Sequence, residues 1–387
     1  MKRKKVLILG GGLQCLSTAY SLKKEGHFVS AFVCKGTEAA HSKNIDQKVY
    51  VSDSEFGSHY IQHLVDFLNK DQHDVIIPMS DKLAELLSKN KKQIESCTKA
   101  ICAVPEYHTF EVANDKWKLI QLCQKHNFPH PKTAQITDSN IEQIAKYVGF
   151  PALIKPNHSV GARGIKRVNS YEELKATYQS ILSQYGESTL QEYIETNGAP
   201  YYNIMLYRDK NGNIINHTII EIIRYYPVKG GSSSLCKTIE NDYLLKLCSE
   251  VLEALSWEGF ADFDILKKSN NEYQIIEINP RVPASLRAAE ISGINFPNII
   301  VSNLLELPIK QYHYSTNKYL RFLGLDIMWF ISSKDRFAAQ PSWFKFFDKD
   351  TYYQEGGKAD LTAMLFSLYS GVKKIFTPSF RKAKNGI

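Results

Sequence analysis

Glu277-Ile278-Asn279-Pro280-Arg281 sets a carboxylate, an amide and a guanidinium at alternate positions. Residues two apart on an extended strand project to one face. The apolar run at residues 273–278 supplies such a strand, and Pro280 closes it. Asp264 ends a second apolar run at residues 260–264. If the two runs pair as antiparallel neighbours, Asp264, Glu277 and Asn279 converge. Three hard oxygen donors in that arrangement suit Mg²⁺ held against phosphates. The same residues also read as solvated strand ends before a proline turn.

A second group of residues suits phosphate. Asn157-His158-Ser159-Val160-Gly161-Ala162-Arg163-Gly164-Ile165 follows an apolar strand ending at Lys155-Pro156. Small residues let backbone N–H groups approach phosphate oxygens, and Lys155 would add a fixed positive charge. The alternative is a plain hairpin loop. Gln191-Glu192-Tyr193-Ile194-Glu195 then leaves a strand and runs toward Gly198. Such a linker can read a purine through its backbone, with Glu195 in reach of ribose hydroxyls. Arg224 and the Gly/Ser segment at residues 229–234 read as a mobile cover over a charged site, or as an ordinary surface loop. Gly10-Gly11-Gly12-Leu13-Gln14-Cys15 nearly matches a dinucleotide fingerprint. Cys15 stands where a third small residue belongs, and no acid follows the second strand at Val33-Cys34-Lys35. A tight strand–helix turn explains those glycines equally well.

The elements that must position these groups are legible in outline. Residues 1–104 alternate short apolar runs with helical periodicity, a βαβ pattern that builds a parallel sheet. Asn114 is placed to cap the next helix, whose apolar face includes Trp117, Ile120, Leu122 and Cys123, with Pro129 and Pro131 ending it. Strand signals, a hairpin around Asp209–Asn213, a helix and the two acid-bearing strands follow, an α+β body. In the tail, Leu361, Met364, Leu365, Leu368, Val372, Ile375 and Phe376 fall on one helical face.

Composition bounds the function. The chain of 387 residues carries a net charge of +8. Nine of its cations lie in residues 2–5 and 373–387, which leaves the body near neutral and argues against a nucleic-acid binder. Seven scattered cysteines with no zinc spacing fit free thiols in a reducing cytoplasm. No secretion signal and no apolar run long enough to span a membrane is apparent.

In this order the motifs resemble those of the ATP-grasp superfamily of carboxylate–amine and thiol ligases, over residues 1 to about 310. The details are closest to relatives of carbamoyl-phosphate synthase and to amino-acid ligases. The resemblance implies a Rossmann-like pre-ATP-grasp domain at 1–104. It implies an ATP-grasp domain at 105–310, with a small lid at about 130–195, and a C-terminal extension at 311–387. It implies that Lys116 and Lys155 contact ATP phosphates and that residues from Ser159 through Gly161 to Gly164 form a closing loop. Backbone atoms of Gln191 and Ile194, flanking Glu192, would hold adenine. Asp264, Glu277 and Asn279 would bind Mg²⁺, with Mn²⁺ as a substitute, and Arg281 would stabilise the transferring phosphoryl group. The family's Gly-x-Glu after the linker is replaced here by Gly198-Ala199-Pro200, so Glu195 takes the ribose role.

The expectation is an ATP-dependent ligase that joins a small-molecule carboxylate to an amine through an acyl-phosphate. Arg281, Lys155 and Arg224 are its catalytic cations, with Arg224 and Arg287 reading a substrate carboxylate. A cytoplasmic protein without nucleic acid is expected; the tail helix and its basic end could lie on an anionic membrane surface, or the helix could pack on the body or on a second subunit of a homodimer. Two other readings stand beside it: a nicotinamide oxidoreductase built on the Gly10–Cys15 turn, and a non-catalytic ATP-binding protein.

Overall fold

Val6, Leu7, Ile8 and Leu9 are all buried, as a strand covered on both faces must be. This strand, β1 (Lys5–Leu9), is central in a parallel sheet with β2 (Phe28–Val33), β3 (Gln47–Tyr50), β4 (Val75–Pro78) and β5 (Ile101–Cys102), in the order β3-β2-β1-β4-β5. The computed structural model describes residues 3–51, 59–158, 164–195, 200–228, 231–355 and 360–375. The glycine turn after β1 is required by packing. Gly10 sits at φ +115°, and a Cβ on Gly11 would lie 2.5 Å from Thr37 Oγ1.

A four-stranded antiparallel sheet follows in the order β6-β9-β7-β8, from β6 (Thr133–Gln135), β7 (Ala152–Pro156), β8 (Lys166–Val168) and β9 (Ser188–Glu192). Two helices, Ile141–Val148 and Tyr171–Tyr185, cover it through Ile144, Val148, Leu174 and Ile181. The large sheet has the order β14-β13-β10-β11-β12-β15-β16. Its members are β10 (Tyr201–Arg208), β11 (Ile214–Tyr226), β12 (Ser232–Ile239), β13 (Gly259–Lys267), β14 (Tyr273–Asn279), β15 (Tyr319–Arg321) and β16 (Thr351–Tyr353). The β10–β11 hairpin turns through Asp209–Asn213 as expected; Asp209 Oδ1 accepts from the backbone of Asn211 and Asn213.

Two local expectations need correction. Asn114 does not cap the helix Lys116–His126; it ends the preceding helix, and Asp115 is the cap, accepting from Trp117 N and Lys118 N. That helix stops at Asn127, which takes a left-handed φ of 58°, before either proline. The C-terminal extension joins the body, because β15 and β16 continue the large sheet.

The tail helix Leu361–Ile375 docks through a different face from the expected apolar stripe. Ala363 is buried and Phe366 stacks on His41, while Leu361 and Leu365 are exposed. Polar contacts set this orientation. Asp360 accepts from Ser42 and Asn44, and Thr362 donates to the His41 carbonyl. Side chains from residue 371 onward lie outside the described residues. No helix among the described residues is long and apolar enough to cross a membrane.

Asp326, on the helix Leu323–Ser332, fastens the tail to the sheet. Its carboxylate is fully buried between Arg321 Nε at 2.6 Å and Arg224 Nε at 3.0 Å, and Ser234 donates to it. Removing the shared anion leaves two buried guanidinium groups uncompensated. Asp326→Ala should therefore cost about 3–5 kcal/mol in a urea unfolding titration; a loss below about 1 kcal/mol would show that the pair is dispensable.

Candidate active site

β13 and β14 run antiparallel, with Asp264 opposite Glu277 and Asp262 opposite Asn279. The pairing expected from the sequence is therefore present, and all four side chains share one face. Asn279 Nδ2 lies 3.3 Å from Asp264 Oδ2 and 3.2 Å from Asp262 Oδ2, bridging the two acids. On the other side, β10 sets Asn203 opposite Asp264. Tyr201 Oη and Asn203 Nδ2 both donate to Asp264 Oδ1.

Burial and like charge dominate the electrostatics. Asp264 is pushed up from 3.8 to about 6, first by burial and then by Glu277. Asp262 is raised well above the ordinary range by burial and by Asp264, and its Oδ1 is buried without a hydrogen-bond partner. Among the described residues, no three acid, His or Cys side chains already sit as a closed metal cage. The face instead offers two opposed carboxylates, a neighbouring amide oxygen and a further acid. The donors are hard oxygens, and their mutual repulsion is what a bound cation relieves. The set fits Mg²⁺ or Mn²⁺.

Three cations ring this face, each carried by a different part of the fold. Lys116 begins the helix Lys116–His126 and places Nζ 3.3 Å from Glu277 Oε1. Its helix is tied to the end of β7, since Lys116 N donates to Asn157 O and His158 pairs with Asp115 at 2.9 Å. Lys155, at the end of β7, donates to Gln191 Oε1 at 2.5 Å. Burial and the neighbouring Lys116 lower it to about 8, partly offset by Glu277 and Asp264. Arg281 turns from the end of β14 toward the parallel sheet. Its Nε lies 2.8 Å from Asp81 Oδ1, and Nη2 donates to Asp81 Oδ2 and Asn279 Oδ1.

The other expected residues divide. Gln191 lies inside β9 between two neighbouring strands and offers its side chain to Lys155. The linker starts later: Ile194 is buried and Glu195 is exposed. Glu192 pairs with Lys268 at 2.7 Å, and its N–H is taken by Lys132 O. Gly164 needs its left-handed φ of +75°, where a Cβ would lie 2.8 Å from Pro156. Ser159 and Gly161, with Arg163 and the first two residues of the 229–234 segment, lie outside the described residues. Arg224 does not join the carboxylate face. It belongs to the Asp326 cluster, over the Trp329 ring, because the tail supplies its counter-charge. Arg287 lies 3.7 Å from Glu290.

Sequence reasoning missed Asp262, Asp81, Tyr201 and Asn203. Asp262 was within reach, because it precedes Asp264 by two and so must share its face. Asp81 gave no signal, being 200 residues from the arginine it holds.

A large mixed body and a smaller antiparallel sheet that meet over an acid-lined face are the parts of an ATP-grasp fold, and residues 113–285 of this chain match the ATP-grasp domain family. Among curated relatives, D-aspartate ligase of Enterococcus faecium is 22% identical over 65% of this chain and 64% of its own length. D-alanine–D-alanine ligase B of Pseudomonas putida is 23% identical over 50% of this chain and 64% of its own length. The chain thus spans just under two thirds of each. Among solved structures, the biotin carboxylase domain of Hydrogenobacter thermophilus 2-oxoglutarate carboxylase superposes with a TM-score of 0.69 at 18% identity, covering 82% of this chain and 73% of that one. N5-carboxyaminoimidazole ribonucleotide synthetase of Thermotoga maritima gives 0.57 at 21%, covering 80% and 78%. At these identities the superpositions establish the fold.

Asp264 binds its proton more tightly folded than unfolded, so its ionisation costs stability as pH rises from about 4 to 6. Asp264→Asn removes that cost. In chelator, the variant should melt about 2–4 °C above the parent near neutral pH, with the gap closing toward about pH 4. A lower melting temperature for the variant near neutral pH would contradict the repulsion described here.

Proposed function

We propose that this protein is an ATP- and Mg²⁺-dependent ligase that activates a small-molecule carboxylate as an acyl-phosphate and joins it to an amine. The observation that carries this reading is the face shared by Asp264, Glu277 and Asn279, facing Lys116 and ringed by Lys155 and Arg281. The hydrogenobacterial relative in its solved complex holds MgADP and bicarbonate, and the D-aspartate and D-alanine–D-alanine ligases carry that chemistry in their names. These similarities support the same reaction type here, with an amino acid or an amino-bearing acceptor as the nucleophile's source.

A carboxylate is a poor electrophile at neutral pH. In the proposed reaction a carboxylate oxygen attacks the γ-phosphorus of ATP, and the bond to the ADP oxygen breaks. The resulting acyl-phosphate is then attacked at carbon by the amine, and inorganic phosphate leaves with its bonding pair. Asp264, Glu277 and Asn279 would hold the metal, which neutralises phosphate charge when bound. Lys155 and Lys116 supply fixed positive charge beside the transferring group, where preorganised charge lowers the barrier most. Arg281, braced by Asp81, would contact the phosphoryl oxygens or the acyl-phosphate. Acyl-phosphates hydrolyse readily, so the site must exclude water. The small sheet that carries Lys155 would be the element that closes over it.

Purified protein with ATP and Mg²⁺, screened for ADP release against amino acids, dipeptides and sugar acids, tests the reading. Substrate-dependent release should appear with at least one acid–amine pair, with a product of the condensed mass. Glu277→Ala should lower that release by about 10²–10³-fold while leaving the unfolding transition in place. Undiminished turnover in this variant would refute the assignment.

A further inference from the structure

Three rings of the tail form an exposed apolar surface beside the sheet. Phe337 is 76% exposed, Phe344 59% and Phe347 101%. They are not loosely hung. Phe337 and Phe344 both contact Phe330, at 5.5 and 5.8 Å between ring centroids, and stack on one another. Phe330 packs on Trp343 at 4.2 Å, and the Trp343 indole donates to the Asp326 carbonyl. The buried Arg321–Asp326 pair thus anchors the base of the cluster. Ile331, on the same helix as Phe330, adds a further 61% exposed side chain.

Cations are interleaved with these rings. Lys334, Arg336, Lys345 and Lys349 stand within the segment against Asp335 and Asp348. Lys334, Lys345 and Lys349 are exposed, and Arg336 lies over the Phe330 and Phe337 rings. The adjoining helix Leu361–Ile375, which touches the Leu323–Ser332 helix, leads into a chain end with five cations and no acid in residues 373–387.

We propose that this surface docks on an anionic phospholipid membrane. The alternative occupant, a second copy of the chain, fits less well. The core of a protein–protein interface is depleted in lysine, whereas here Lys345 stands between Phe344 and Phe346, and Lys349 two residues beyond Phe347. At a bilayer surface the same alternation is favourable: rings enter the headgroup boundary and lysine stems reach back to lipid phosphates. A fully exposed phenylalanine such as Phe347 suits insertion into lipid, and the packed base under Phe337 and Phe344 spares the entropy cost of ordering those two rings on contact.

The test is flotation of the full-length chain with vesicles of phosphatidylcholine alone and of phosphatidylcholine with phosphatidylglycerol. The chain should float with the anionic vesicles, and raised salt should reduce that binding. Phe337→Ser/Phe347→Ser should lose roughly tenfold or more in vesicle affinity. Lys345→Gln/Lys349→Gln should lose roughly thirtyfold. All four side chains are exposed or point to solvent in part, so unchanged melting curves certify the fold. Absence of flotation, or equal flotation of parent and both variants, overturns the proposal. So does a parent that sediments as a dimer, becomes monomeric in the phenylalanine variant, and ignores anionic vesicles; the surface would then be a self-interface.

Discussion

Buried like charge is the constraint on which the rest of the site depends. Asp262, Asp264 and Glu277 are drawn to one face by strand pairing, and two of them are held above the ordinary carboxylate range by burial and by each other. A fold tolerates such a cluster only if compensating charge is always near. Part of that charge is built in, through Lys116 on Glu277 and the hydroxyl and amide donors on Asp264. On the proposed reading, a metal and its phosphates would supply the remainder. The face is therefore poised for a ligand rather than self-satisfied, which separates a functional cluster from a structural salt bridge.

The cations reach this face from separate parts of the chain, and this geometry couples binding to architecture. Lys155 rides on the small antiparallel sheet, and Lys116 on a helix capped by Asp115. Arg281 is locked to Asp81 at the start of a helix of the parallel sheet. No single sheet contains the site. A displacement of the small sheet would move Lys155 while leaving the acids and Arg281 fixed. The parallel sheet also has a defined part in this arrangement, since Asp81, at the start of one of its helices, holds the arginine. The tail contributes differently: it lends Arg224 a counter-charge and extends the large sheet, so it is part of the body's stability.

Much of this was legible in the residues. The parallel βαβ unit follows from continuous apolar runs, and the acid-lined face from period-two spacing on two strands. What failed did so for identifiable reasons. Arg224 was read with the site because a cation beside a Gly/Ser segment looks like a lid; the anion that claims it, Asp326, is about a hundred residues distant. Asn114 and Asp115 are both good caps, and only the geometry of two abutting helices chooses between them. The tail helix was oriented by its apolar stripe, yet polar contacts from Asp360 and Thr362 decide its docking. Local pattern specifies elements well; long-range partners decide which face or which charge is used.

The central claim is that one strand pair grips a divalent cation for phosphate transfer. A crystal structure of the protein with Mn²⁺ and a non-hydrolysable ATP analogue, phased on the manganese anomalous signal, addresses it directly. The account expects an anomalous peak about 2.1 Å from oxygens of Asp264, Glu277 and Asn279, with the terminal phosphate between that metal and the side chains of Lys155 and Arg281. Manganese bound elsewhere, or an analogue seated away from this face, would contradict it.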